Sequence, residues 1–206
     1  MLKVWGRSNS VNVQKVLWCC EELGLPFERI DAGGEHGVVN TPQYRALNPN
    51  GLVPTIEDGA FVMWESNAIV RYLCARHSQG RLWPEDLKVR GEADMWMDWQ
   101  NTVFWPTFRP LFWNLVRTPL DQRDPGAMKE SLDRSGEVLG YLDAHLRNRA
   151  YIAGDDLTMG DIPIGCGIWR WFGLQIERPE LPHLKRWFDL LRQRPAYQNA
   201  VLQPLT

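Results

Sequence analysis

The chain of 206 residues predicts a small α/β sheet domain followed by an all-helical bundle. Two observations carry this. Residues 1–80 alternate short strand-like runs with helical patterns, and no strand signal follows them. Of the 11 tryptophans, eight follow position 80, so the two parts differ in kind.

Taken in order, "LKVW" (Leu2–Trp5) reads as a strand. Val13, Val16, Leu17 and Cys20 recur at helical spacing and predict a helix from Val11 to Leu23, which Gly24 and Pro26 stop. "FERID" is the second strand, and "GGEHGVVN" is a loop. "TPQYRAL" predicts a short helix with Thr41 as N-cap and Pro42 in its first turn. After the turn cluster "NPNG", the runs "LVPTIED" and "FVMW" pair as strands around Glu57-Asp58-Gly59. A third helix runs from Ser66 to Arg76 with Ile69, Val70, Leu73 and Cys74 inward. "HSQGRLWPEDL" is a linker by composition. Beyond it, "KVRGEADMWMDWQNTVFW" is a long helix that Pro106 and Pro110 should bend or break. "MKESLDRSGEVLGYLDAHLRN" and three shorter helices complete the bundle. The domains expected are 1–80 and 86–206.

Bulk properties narrow the function classes. A net charge of −2 and no Lys/Arg-rich run give nucleic acid no footing. "MLKVWGRSNS" has no apolar stretch of signal-peptide type, and no apolar run approaches the ~20 residues that span a bilayer. Cys19, Cys20, Cys74 and Cys166 form no C-x-x-C pair and fit no zinc spacing. They read as buried thiols of a reducing, cytoplasmic compartment, and no metal is expected.

Three motifs suggest chemistry. In "LVPTI", a proline within a strand pattern is either an ordinary trans residue at a strand start or a cis-proline that leaves Val53 free to pair with an extended peptide. In "WESNAIV", Ser66 stands at a helix N-terminus that attracts a carboxylate, and Glu65 beside it suits an ammonium. Together they can read an α-amino acid, or form a cap beside a solvated Glu. In "GRSNSVNVQKVLW", Ser10 precedes a helix at the carboxyl end of a strand, where α/β folds put ligands. Its hydroxyl can donate to a thiolate while the helix terminus adds partial positive charge. A drop of two pKa units needs about 2.7 kcal/mol, which one charge-assisted bond and a helix terminus can supply. The alternative is that Ser8, Ser10 and Asn12 only cap the helix.

In combination, "S-x-N-x-x-K-V" (Ser10–Val16), "NPNGLVPTIED" and "WESNAIVRYL" resemble the cytosolic glutathione S-transferase superfamily over essentially the whole chain. The resemblance implies a thioredoxin-like first domain, a helical second domain and glutathione as co-substrate. By likeness to bacterial serine- and asparagine-site members, Ser10 and Asn12 match the thiol-activating pair. Val53 matches the residue pairing with the glutathione backbone, Pro54 the cis-proline, and Glu65 and Ser66 the γ-glutamyl readers. No tyrosine or cysteine stands at this site. Leu52 occupies the place of a common carboxylate-binding Lys or Gln, and His36 resembles a histidine that reaches glutathione in some members; Arg7 is a further cation nearby. Thr158 and Asp161 match a structural N-capping box. A hydrophobic electrophile is expected between the domains, with Phe104, Trp105, Phe108 and Arg109 as its pocket. Arg109 there meets an anion or forms an interhelical ion pair. The resemblance also implies a homodimer. The rival readings are a glutathione-dependent disulfide reductase or peroxidase at the same site, and a non-catalytic binding module.

Overall fold

The computed structural model describes residues 1–206. Strands β1 (Leu2–Trp5), β2 (Phe27–Ile30), β3 (Thr55–Asp58) and β4 (Phe61–Trp64) form one sheet in the order β2-β1-β3-β4. β1 and β2 run parallel, joined by a crossover through α1 (Val11–Leu23); β3 is antiparallel to both β1 and β4. The α1 helix ends where Gly24 adopts φ +62° and takes the left-handed cap position. In α2 (Pro42–Leu47) the Thr41 hydroxyl accepts from the Tyr44 N–H at 3.2 Å, the capping expected from "TP". β3 starts at Thr55, so Pro54 lies just outside the ladder it would have interrupted. The sheet is followed by α3 (Ser66–His77).

The helical part consists of α4 (Leu87–Trp99), α5 (Trp105–Val116), α6 (Pro125–His145), α7 (Asp161–Gly173), α8 (Pro182–Arg192) and α9 (Pro195–Ala200). The prolines do not break the long helix. A π-helical turn over Gln100–Phe104 joins α4 to α5 ahead of Pro106, and α5 runs on through Pro110. Side-chain hydroxyls add hydrogen bonds along this stretch. Thr102 and Thr107 hydroxyls donate to the carbonyls of Asp98 and Val103 at 2.9 and 2.8 Å. Ser131 of α6 donates to Thr107 O at 2.6 Å and accepts from Leu111 N at 3.2 Å.

One apolar core joins the two parts, because α1 packs on α3 in the first and on α7 and α9 in the second. Trp18 is fully buried at that junction, edge-on to Tyr197 at 4.7 Å. Gly165 is needed there: a Cβ would sit 2.8 Å from Trp18 Cζ3. In the helical part the capping box closes as expected. Thr158 Oγ1 accepts from Gly160 N at 3.3 Å, and Asp161 Oδ2 accepts from Thr158 N at 2.9 Å.

Candidate functional site

The turn after β1 is shaped by Gly6, at φ +153°, whose N–H donates to Ile30 O at 2.8 Å. A Cβ on Gly6 would meet Val13 Cγ2 at 2.3 Å, so only glycine brings the strand end this close to α1. Ser10 then takes the N-cap position with extended backbone (φ −76°, ψ 126°), yet its side chain makes no capping bond. The first turn of α1 holds no acidic residue either. A hydroxyl 8 % exposed therefore lies, uncommitted, beside the open N–H groups of a 13-residue helix. Asn12 is half-buried two residues on.

Across from this turn, the Val53–Pro54 bond is cis. Val53 N–H and C=O enter no backbone hydrogen bond of the chain, so an extended backbone could pair with them. The loop leading to Val53 is held firmly. Tyr44 Oη and Asn48 Nδ2 both donate to Leu52 O, at 2.7 and 2.9 Å, and both reach Thr55 Oγ1, at 2.9 and 3.1 Å. Leu52 itself points outward, 64 % exposed.

At α3 the cap differs from the expectation by one residue. Glu65, not Ser66, is the N-cap, and it adopts φ +74°. A non-glycine residue rarely takes that conformation, and such strain collects at functional positions. The consequence is that Ser66 sits at the first helical position with its hydroxyl and N–H at the helix N-terminus.

These motifs have counterparts in known proteins. The families described as glutathione S-transferase N-terminal domain and C-terminal domain match residues 9–76 and 98–195. The chain belongs to the glutathione S-transferase family. It is 41% identical to Glutathione S-transferase GstB of Escherichia coli over all of both chains. It is 30% identical to Glutathione S-transferase 3 of Zea mays, over 97% of this chain and 93% of that protein. Among solved structures it resembles the theta class glutathione S-transferase of Xanthomonas axonopodis pv. citri with glutathione bound, at 51% identity and TM-score 0.96, covering 100% of this chain and 99% of that one.

The transferase carries a polar contact network that pattern reading missed. Lys15, buried on α1, donates from Nζ to Asn67 Oδ1 at 3.1 Å on α3 and to Gln100 Oε1 at 2.9 Å in the π-turn. Asn67 Nδ2 donates in turn to Met97 O at 2.8 Å. This ties together the two helix N-termini of the site and α4. Lys15 had a place in the "S-x-N-x-x-K-V" motif, but the apolar pattern of α1 gives no sign that the position is interior. With no carboxylate partner, burial pulls its pKa down from 10.5 to about 8, against the opposing influence of Cys166 and Glu65. Between these values the unfolded chain binds more protons than the folded one, so this group makes stability rise with pH from about 8 to 10.5, by a total on the order of 3 kcal/mol. In Lys15→Met that rise should disappear. Urea unfolding of both proteins at about pH 7.5 and 10 measures it, and a difference between the proteins that does not change with pH contradicts the account.

The electrophile pocket expected from sequence requires correction. Phe104 and Phe108 are fully buried, stacked on one another at 5.6 Å within the core, and Phe104 fills the space that Gly167 leaves. They offer no surface to a substrate in this structure, because Gly167 and Trp171 of α7 pack against them. Trp105 is half-buried, and Arg109 is exposed. Arg109 forms no interhelical ion pair; its guanidinium lies over the Trp113 ring at 5.1 Å. His36 Nε2 faces Asp31 Oδ1 at 3.5 Å and Glu35 Oε1 at 3.7 Å. All four cysteines are free and buried. Burial pushes Cys20 and Cys166 up to about 12, so neither supplies a thiolate. A cavity of about 720 Å³ lies by the linker between Arg81, Tyr151, Asp155 and Arg194, and contains none of the site residues.

Proposed function

We propose that residues 1–80 bind glutathione and hold its sulfur as a thiolate beside Ser10, for attack on an electrophile carried against the helices of residues 86–206. Ser10 donates to the sulfur, and Asn12 assists. Val53, next to Pro54, pairs with the cysteinyl backbone. Glu65 takes the γ-glutamyl ammonium, and Ser66 with the α3 N-terminus takes its carboxylate. His36 is a candidate for the glycine end, while Trp105 and Arg109 border the electrophile. The observation that carries this reading is the uncommitted Ser10 hydroxyl at an N-terminus of α1 that no side chain caps. A hydroxyl that served only as a cap would be bonded to the helix. The reaction forms a carbon–sulfur bond as the leaving group departs with its electron pair.

The same reading includes a cytoplasmic homodimer. Four reduced, buried cysteines suit a reducing compartment, and no helix is long and apolar enough to cross a membrane. β4 is an edge strand, and Phe61 and Trp64 at its two ends, on opposite faces, are 48% and 38% exposed, apolar surface at the sheet edge that a second copy would cover.

Glutathione titration by calorimetry tests the proposal. Heat of binding is expected at millimolar ligand or below. Glu65→Ala should raise Kd by about 10- to 100-fold, the loss of one charge-assisted contact. Absence of binding to the unaltered protein rejects the reading.

A further inference from the structure

Five cations gather around the Ser10 turn and α5: Arg7, Lys15, Arg109, Arg117 and Arg170. Four of them, Arg7, Lys15, Arg109 and Arg170, form no ion pair with an Asp or Glu, and Arg117 has only the terminal residue Thr206 as an anionic partner. Three are arranged along the aromatic side chains of α5. Arg109 and Arg117 lie 5.1 and 5.3 Å from the centre of the Trp113 ring. Arg117 and Arg170 each lie 5.8 Å from the centre of the Phe112 ring. This group is joined to the Ser10 turn by hydrogen bonds. Arg170, buried on α7, donates to Asn9 O at 2.8 Å, to Gln14 Oε1 at 2.8 Å and to Cys166 O at 2.9 Å, all of them neutral acceptors. Arg117 donates to Thr206 O at 3.0 Å, and the Thr206 hydroxyl bonds to Asn9. The Arg7 side chain lies against Gly34, where a Cβ would approach its Cδ to 3.1 Å. Burial first, and then the Arg7 charge, lowers the proton affinity of Arg117, so the cluster repels itself across the turn.

Like charges held together in a partly dry site are relieved by an anion. Glutathione as thiolate brings two carboxylates, one ammonium and the sulfur, a net charge of two negatives. With Glu65 and the Thr206 carboxyl group added, four negative charges face five cations, and Arg109 is the cation left without a partner. Trp113 is 45% exposed between Arg109 and Arg117, an aromatic platform flanked by cations.

We propose that the second substrate is an anionic aromatic electrophile, its ring on Trp113 and its carboxylate or sulfonate group against Arg109 and Arg117. This rests on the glutathione reading of the Ser10 turn and specifies what that site accepts. With an aryl chloride, the thiolate sulfur bonds to the ring carbon, the carbon–chlorine bond breaks, and chloride leaves with the bonding pair. No oxidant or reductant is needed.

A matched pair tests it: 4-chloro-3-nitrobenzoate and 4-chloro-3-nitrobenzamide, with each kcat/KM divided by the uncatalysed rate constant with glutathione. The benzoate should be preferred by about tenfold or more at low salt, the value of one charge-assisted contact. Arg109→Gln and raised salt should both shrink that ratio. Arg109 is exposed and its guanidinium meets only the Trp113 ring, so its removal frees no other charge and the ratio isolates the contact. A ratio near one, or a preference that survives Arg109→Gln unchanged, overturns the proposal. Failure of the parent reading is distinguishable, because calorimetry would then show no binding of glutathione itself.

Discussion

Ser10→Ala is expected to lower kcat/KM by about 10- to 100-fold, because a hydrogen bond to a charged acceptor contributes about 1.5–3 kcal/mol. The same loss should raise the pH at which bound glutathione ionises by about 1–2 units, read from the ultraviolet absorbance of the thiolate. The expected stability is a sharper discriminator. The Ser10 side chain makes no capping bond, so its removal should leave unfolding within about 0.5 kcal/mol of the parent. A hydroxyl that served the helix would do the reverse, costing about 1 kcal/mol of stability and leaving the rate alone. If Ser10→Ala keeps full turnover while Asn12→Ala loses it, thiol activation belongs to Asn12.

Asp161→Ala should be the most destabilising single substitution in the helical part. Asp161 is wholly buried and accepts from Ile152 N, Thr158 N and Trp187 Nε1, each at 2.9 Å, and from Thr158 Oγ1 at 3.2 Å. Alanine would orphan those donors in the interior and leave a cavity. Breaking such a buried charged network costs about 3–5 kcal/mol, a large share of the stability of a domain. Burial raises its carboxyl only to about 6, because the same donors oppose the shift, so it is mostly ionised at neutral pH. Denaturant unfolding measures the loss. A change below about 1 kcal/mol would mean that the network closes without its acceptor. Glutathione affinity should survive under conditions where the variant remains folded, since Asp161 belongs to the helical part and touches none of the binding residues.

Most of the fold was legible because local signals agree with one another. Alternation of strand and helix patterns, Gly24 and Pro26 after α1, Thr41-Pro42 before α2 and the Thr158/Asp161 box each act through neighbours a few residues apart. The prolines of α5 show where the helix loses donors but not that it continues, through a π-turn ahead of Pro106 and on past Pro110. Ser131, a residue of another helix, bonds between Thr107 O and Leu111 N there. An aromatic stripe shows only that a helix has an apolar side; Gly167 and Trp171, from a helix distant in sequence, pack against Phe104 and Phe108 and make that side core. Lys15 and Arg170 gave no local warning, because a cation on a helix reads as solvent-facing until its acceptors, Asn67, Gln100, Gln14 and the carbonyl of Asn9, are brought in from distant segments.

By itself the sequence determined the order of strands and helices, the family, and the positions of the three motifs, because each depends on spacing within a short stretch of chain. Tertiary structure alone decided that the Ser10 hydroxyl is left unbonded, that Glu65 takes the strained cap position ahead of Ser66, and that the expected pocket phenylalanines are core. It alone gathered cations from α1, α5, α7 and the Gly6–Ser10 turn without an Asp or Glu among them. Burial, hydrogen-bond partnership and local potential are sums over everything that surrounds a group in space, and most of those neighbours lie far away along the chain.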